Sequence, residues 1–262
     1  MQTRYTAELS KGQGIIEETV ALLRAWEPGM NTMDLKDQVK REGIIDRATA
    51  LRVEDIVGRL FAPRFLVNNG APAKNLKFLL AKGVPVSKLQ QLFFLHAARA
   101  HSILHDFVTQ VYWPKYAAGV VTITRQDALD FVERAKDTGL VTPPWSLSTT
   151  ARMARYLGTA MADFGLTGID HAGRREILPC RLSTLSGRYL AYELHFRNVD
   201  DNAVQHAEAW QLFGLEPMDV RHELERISGN HFIVQHAGDL LRISWTHPSM
   251  EEALHAIATD EF

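Results

Sequence analysis

Apolar side chains recur at three- and four-residue spacing along most of the chain, and that period predicts helices. Residues 15–26 carry Ile15, Ile16, Val20, Leu22, Leu23 and Trp26, and Pro28 with Gly29 ends the run. A second helix is predicted over about 32–42, opening at Asn31 or Thr32 and closing at Gly43. The third starts near Asp46 and sets Ala50, Val53, Val57 and Leu60 on one face, with Arg52, Asp55 and Arg59 on another. "NNGAPAKN" (68–75) reads as a turn-rich link before a short helix over "LKFLLAKG". Ser87 is the predicted cap of a long helix whose apolar stripe passes through Leu89, Leu92, Phe93, His96, Ile103 and Val111 and ends before Pro114. Thr124 and Asp127 open the next helix, which closes at Gly139. After "LVTPPWSL", Ser148 caps a helix that puts Met153, Leu157 and Met161 on one side and Arg152, Arg155 and Thr159 on another, with Gly165 ending it.

Past "TGIDHAGRR" the pattern changes. "EILPCRL" (176–182) reads as a strand, while "TLSGRYLAYELHFRNV" fits either period and its length favours helix. Helices follow at about 200–212 and 217–228, the second with Pro217 in its first turn. "HFIVQHAGDLLRISW" holds two alternating runs joined at Ala237, Gly238 and Asp239, a hairpin, and Ser249 with Glu252 caps a last helix. The expected fold is therefore mainly α: a helical bundle over 1–168, then a smaller α+β domain over 175–262. The helix, helix, helix, hairpin order of that second domain is that of a winged helix.

Composition changes this picture little. The 262 residues are 46% hydrophobic and 23% charged, as in ordinary globular chains. No apolar run approaches the roughly 20 residues a bilayer demands, and "MQTRYTAELSKGQG" lacks the apolar core of a signal peptide. One cysteine, Cys180, makes no internal disulfide and is expected to be a small packing residue. The expectation is a cytoplasmic protein without membrane insertion.

Charge changes it more. The net charge of −2 conceals a division: residues 63–120 hold seven basic side chains and one acidic, Asp106, whereas 159–262 hold eight basic and sixteen acidic. Residues 76–101 contain no Asp or Glu at all. Lys74, Lys77, Lys82 and Lys88 crowd one stretch, Arg99 follows on the next helix, and Arg152 with Arg155 can share an exposed face. Clustered cations with few competing carboxylates are what phosphate binding requires, so these seven residues are the candidate DNA contacts.

Other chemistry finds little support. His101 and His105 stand one turn apart, as helical metal ligands do, but "HSILH" has no glutamate and no nearby cysteine or carboxylate cluster completes a site. "GQG" (12–14) has neither the strand nor the spacing of a dinucleotide loop, and no nucleophile motif occurs. No metal, no cofactor and no small-molecule substrate is expected, nor catalysis. The helices at 125–138 and 149–164 are separated by about ten residues including two prolines, too long for a DNA-reading helix-turn-helix.

Three long phrases, "FFLHAARAHSILHDFVTQVYWPKYAAG", "WSLSTTARMARYLGTAMADFGL" and "WQLFGLEPMDVRHELERISGNHFIVQHAGDLLRISWTHPSMEEAL", resemble the BrxA family, an accessory component of BREX (bacteriophage exclusion) defence systems, as do "GIIEETVALL" and "RATALRVEDIVGRL" near the start. The resemblance implies a non-enzymatic protein with a NusB-like helical body that binds double-stranded DNA and works with other BREX proteins; it supplies no catalytic residues. A protein-docking adaptor without nucleic-acid contact is the alternative expectation, and RNA binding a third. The helix at 217–228 carries Asp219, Glu223 and Glu225 beside its arginines, so the C-terminal domain is expected to dock protein rather than read bases.

Overall fold

A computed structural model describes residues 4–12, 14–238 and 240–260, and it is mainly helical with two small antiparallel sheets. Gln13 and the hairpin residue Asp239 lie outside the described residues. By contacts the chain divides into two units, one of residues 1–74 and 93–180, the other of 75–92 and 181–262.

In the first unit, helices α1 (Ile16–Ala25) and α2 (Thr32–Glu42) lie where the apolar period puts them. The α2 ends are set by a capping box between Asn31 and Asp34 and by left-handed Gly43. The helix expected from Asp46 begins instead at Ala50, because Thr49 is the residue whose hydroxyl accepts the Arg52 N–H. It runs as α3 (Ala50–Val53), a π-helical stretch Glu54–Phe61, and α4 (Ala62–Phe65). Helix α5 (Ala71–Ala81) starts earlier than "LKFLLAKG" suggests and takes Pro72 into its first turn, where no backbone donor is needed.

The long helix predicted from Ser87 to Pro114 is in fact segmented. Helix α6 (Val86–Ala100) contains Ser87 rather than being capped by it, and His101 breaks it with non-helical φ −126° and ψ 90°. Then come α7 (Ser102–Phe107), a second π-helical stretch Val108–Tyr112, and α8 (Trp113–Ala117), which carries Pro114 inside it. Both π stretches sit just ahead of a proline, Pro63 and Pro114. The wider turn removes the clash that a proline ring makes with the carbonyl four residues back in an α-helix.

Helix α9 (Arg125–Asp137) opens on the predicted Thr124–Asp127 capping box. Helix α10 (Leu147–Asp163) is capped by Ser146, not Ser148; the Ser146 hydroxyl accepts the Thr149 N–H. Two short strands, β1 (Thr167–Ile169) and β2 (Arg175–Ile177), pair antiparallel, and Thr122 bridges to Glu176 on the open side of β2. The predicted strand at 176–182 is thus shorter and earlier, and stops before Pro179, which has no N–H to give a ladder. Aromatic rings fill the core, with Phe65 edge-on to Phe93 and Phe107 edge-on to Phe131.

In the second unit, Ser183 caps α11 (Thr184–Phe196), the segment whose period was ambiguous. The helix expected at 200–212 is two pieces, α12 (Asp201–Val204) and a 3-10 turn Glu208–Phe213, followed by α13 (Pro217–Ser228). Strands β3 (Phe232–Ala237) and β4 (Leu240–Trp245) pair in register from Phe232 opposite Trp245 to Ala237 opposite Leu240, and α14 (Met250–Thr259) is capped by Ser249. Tyr189, Tyr192, Trp210 and Phe232 are buried here. Gly187 permits close approach of α13: a Cβ there would lie 2.9 Å from the Ile227 side chain. Gln91 joins the early segment to this unit, donating to the Arg181 carbonyl at 2.8 Å and accepting the Ser183 N–H at 2.9 Å.

Candidate nucleic-acid interface

Helix α10 buries Met153, Leu157 and Met161, so the stripe half a turn away, Ser148, Arg152, Arg155 and Thr159, must face outward. That stripe forms one wall of a groove of about 700 Å³. The other walls come from the first turn of α9, which supplies Arg125, and from the turn into β2, which supplies Arg174 and Arg175. Five arginines therefore line one concavity. Among the described residues that line it there is no carboxylate, no amide side chain and no aromatic ring; the remaining polar groups are the hydroxyls of Thr122, Thr124, Ser148 and Thr159.

The arginines differ in what already holds them. Arg174 sits on an exposed turn and its Nε donates to Asp170 Oδ2 at 2.8 Å, while Asp170 Oδ1 accepts the N–H groups of Ala172 and Arg174. Those bonds, the Arg174 N–H first, hold the Asp170 carboxyl below its usual range. Arg175 is half-buried and its Nη1 donates to Thr167 Oγ1 at 3.1 Å; its Nε lies 3.5 Å from where a Cβ at Gly158 would stand. The Arg155 guanidinium rests over the Tyr156 ring at 5.0 Å. Arg125 and Arg152 are exposed and make no ion pair among the described residues. The nearest carboxylate on α9, Asp127, is committed elsewhere. Burial alone would raise its pKa, but bonds from Thr124 and Lys115, the latter at 2.9 Å, keep it low and ionised.

Two of the seven predicted contacts, Arg152 and Arg155, line this groove; the other five do not. Lys74 is exposed on α5 and Arg99 half-buried on α6, both in the first unit. Lys77, Lys82 and Lys88 belong to the second unit, where Lys77 is half-buried and Lys88 exposed; Lys82 is also exposed, with its ammonium 5.3 Å from the Phe78 ring centre. Arg125, Arg174 and Arg175 were not singled out from the sequence. The available signal was the "RR" doublet and the cation directly after the Thr124 cap.

The histidine pair is engaged in protein contacts. His101 is buried and its Nε2 accepts from Arg64 Nε at 3.3 Å, so the lone pair a metal would need already has a partner. Arg64 is itself buried and also donates to the Gly14 and Gly12 carbonyls at 3.4 and 3.5 Å. Burial pushes the His101 pKa down to about 3, helped by the Arg64 charge, and pulls Arg64 down to about 9 against the pull of Asp163. His105 Nδ1 lies 3.0 Å from Asp106 Oδ1, and Asp106 Oδ2 accepts the Tyr5 hydroxyl at 2.6 Å. No cluster of three or more His, Cys, Asp or Glu side chains placed to hold a metal occurs among the described residues. Nor is any helix among them long and apolar enough to cross a membrane.

A family profile described as BrxA matches residues 3–193. The fold is similar to that in a crystal structure of an uncharacterized protein from Magnetospirillum magneticum, with a TM-score of 0.58 at 17% identity, covering 75% of this chain and 96% of that one. No curated protein matches.

Proposed function

The chain belongs to the BrxA family of bacteriophage exclusion (BREX) systems, and from that membership we propose that it serves there as a non-enzymatic, cytoplasmic DNA-binding component, holding duplex DNA by its phosphates without strong sequence preference. One observation carries the reading: Arg152 and Arg155 stand on a single exposed face of α10 with no carboxylate paired to them among the described residues. Free cations on a rigid helix are what non-specific phosphate contact needs, and counterion release supplies the affinity. We read the N-terminal helices as a NusB-like bundle and the α11 to α14 region with its hairpin as a winged helix. That region docks another BREX protein rather than DNA in this reading, since Asp219 and Glu225 are exposed on α13 and would repel phosphates.

Mobility shifts of the full chain on duplex DNA, single strands and RNA at two salt concentrations test this. The expected result is a duplex shift that weakens steeply between about 50 and 200 mM salt. The second reading, an adaptor without nucleic-acid contact, is favoured by the acidic balance of residues 159–262; it takes over if no nucleic acid shifts while BREX proteins are still retained. A preference for RNA would sustain the third.

A further inference from the structure

We infer that the groove between α9, α10 and β2 seats the sugar–phosphate backbone of one DNA strand, with Arg125, Arg174 and Arg175 joining Arg152 and Arg155 as the phosphate contacts. The inference rests on the DNA-binding reading and locates it. A strand carries one negative charge per about 3.4 Å, so several arginines lining one groove suit a short run of consecutive phosphates. Hydroxyls at Thr122, Thr124, Ser148 and Thr159 add neutral donors of the kind that fix backbone register.

What the groove lacks narrows the ligand. A site for a free nucleotide would ordinarily offer an aromatic plate or amide for the base and a carboxylate for the ribose. Among the described residues none of these lines the groove. Its floor is made of small side chains, Ala128, Ala151, Ala154 and Gly158, which lets a backbone approach closely but gives a base nothing to read. Arg174 and Arg175 are positioned in advance, by Asp170 and Thr167, so little side-chain order is lost when a strand enters.

The experiment compares the full chain with Arg125→Ala/Arg152→Ala and with Lys82→Ala/Lys88→Ala by fluorescence anisotropy on a labelled duplex across a salt series. Thermal melts confirm that each variant folds. The arginine pair is expected to reduce the slope of log affinity against log salt by about 1.8 and weaken binding on the order of 50-fold at 0.1 M salt, equally for unrelated sequences. A slope that falls in the lysine pair and stays unchanged in the arginine pair would put the seat on residues 76–101 and overturn the inference. If the unaltered chain binds duplex DNA and the arginine variant matches it in slope and affinity, the groove is not the seat and the DNA-binding reading stands without it. If the unaltered chain binds no nucleic acid, both fall. Tripolyphosphate binding stoichiometrically in calorimetry, lost in the arginine variant while DNA affinity is unchanged, would make the groove a small-anion site and overturn the inference.

Discussion

Two sets of arginines, one in the groove and one on α13, differ in how many of their donors the protein already occupies. On α13, Arg226 Nε donates to Glu223 Oε2 at 2.8 Å, its Nη1 to Thr184 Oγ1 at 3.2 Å, and its Nη2 to both Glu223 and the Leu182 carbonyl. Arg221 is likewise bound to Gln205. In the groove, Arg125 and Arg152 have no such partners among the described residues. An arginine whose planar fork already serves the protein contributes stability and little field. One left open contributes field and little stability.

If that contrast is right, the largest stability loss belongs to the most engaged cation. Arg64→Ala leaves His101 Nε2 and the Gly12 and Gly14 carbonyls without their donor inside the core, and should cost about 3–5 kcal/mol in urea unfolding followed by circular dichroism. A loss near zero would break the comparison at its strongest point.

Acid should act next, through the partner of that arginine. With its folded pKa far below the unfolded value of about 6.5, His101 takes up a proton only on unfolding; stability is therefore full above that pH and declines as pH falls toward 3. Each such proton contributes about 1.4 kcal/mol per pH unit. His231, pushed down chiefly by its burial, adds a slope of the same sign. His101→Gln keeps an acceptor for Arg64 but gains no proton, so between about pH 5 and 6.5, above the carboxylate range, stability against pH should flatten by one proton's worth. An unchanged slope would show that His101 titrates normally.

The smallest effect sharpens the contrast. Arg226→Ala is expected to lower stability by about 1–2 kcal/mol, since Arg226 is itself exposed, and to leave duplex affinity and its salt slope untouched. Weaker DNA binding in this variant would place α13 against DNA and erase the distinction between the two arginine sets.

What the sequence made legible follows range of action. Capping pairs lie within one turn, and so Asn31 with Asp34, Thr124 with Asp127 and Ser249 with Glu252 mark helix starts that the structure keeps. For α10 the sequence points to Ser148 where the structure uses Ser146, because either hydroxyl can serve and only the path of the preceding loop decides. The break at His101 was not legible at all, since Arg64, thirty-seven positions away, is its partner. Strand β1 is three residues long, too short for any period to register. The spacing of Arg152 and Arg155 singles them out, but Arg125 is obscured in the sequence by Asp127, Asp130 and Glu133, carboxylates that do not line the groove. Averaging charge along the chain mixes side chains that folding separates.

The π-helical stretches before Pro63 and Pro114 tie chain length to composition. Each holds one residue more per turn than an α-helix, and the proline after it is compatible with the helix because of that extra residue. Removing a residue from 108–112 while keeping Pro114 would drive the proline ring into a carbonyl, whereas removing it together with Pro114→Ala would restore an ordinary helix. Relatives of this chain should therefore gain or lose the residue and the proline together, as a single heritable step rather than two independent ones.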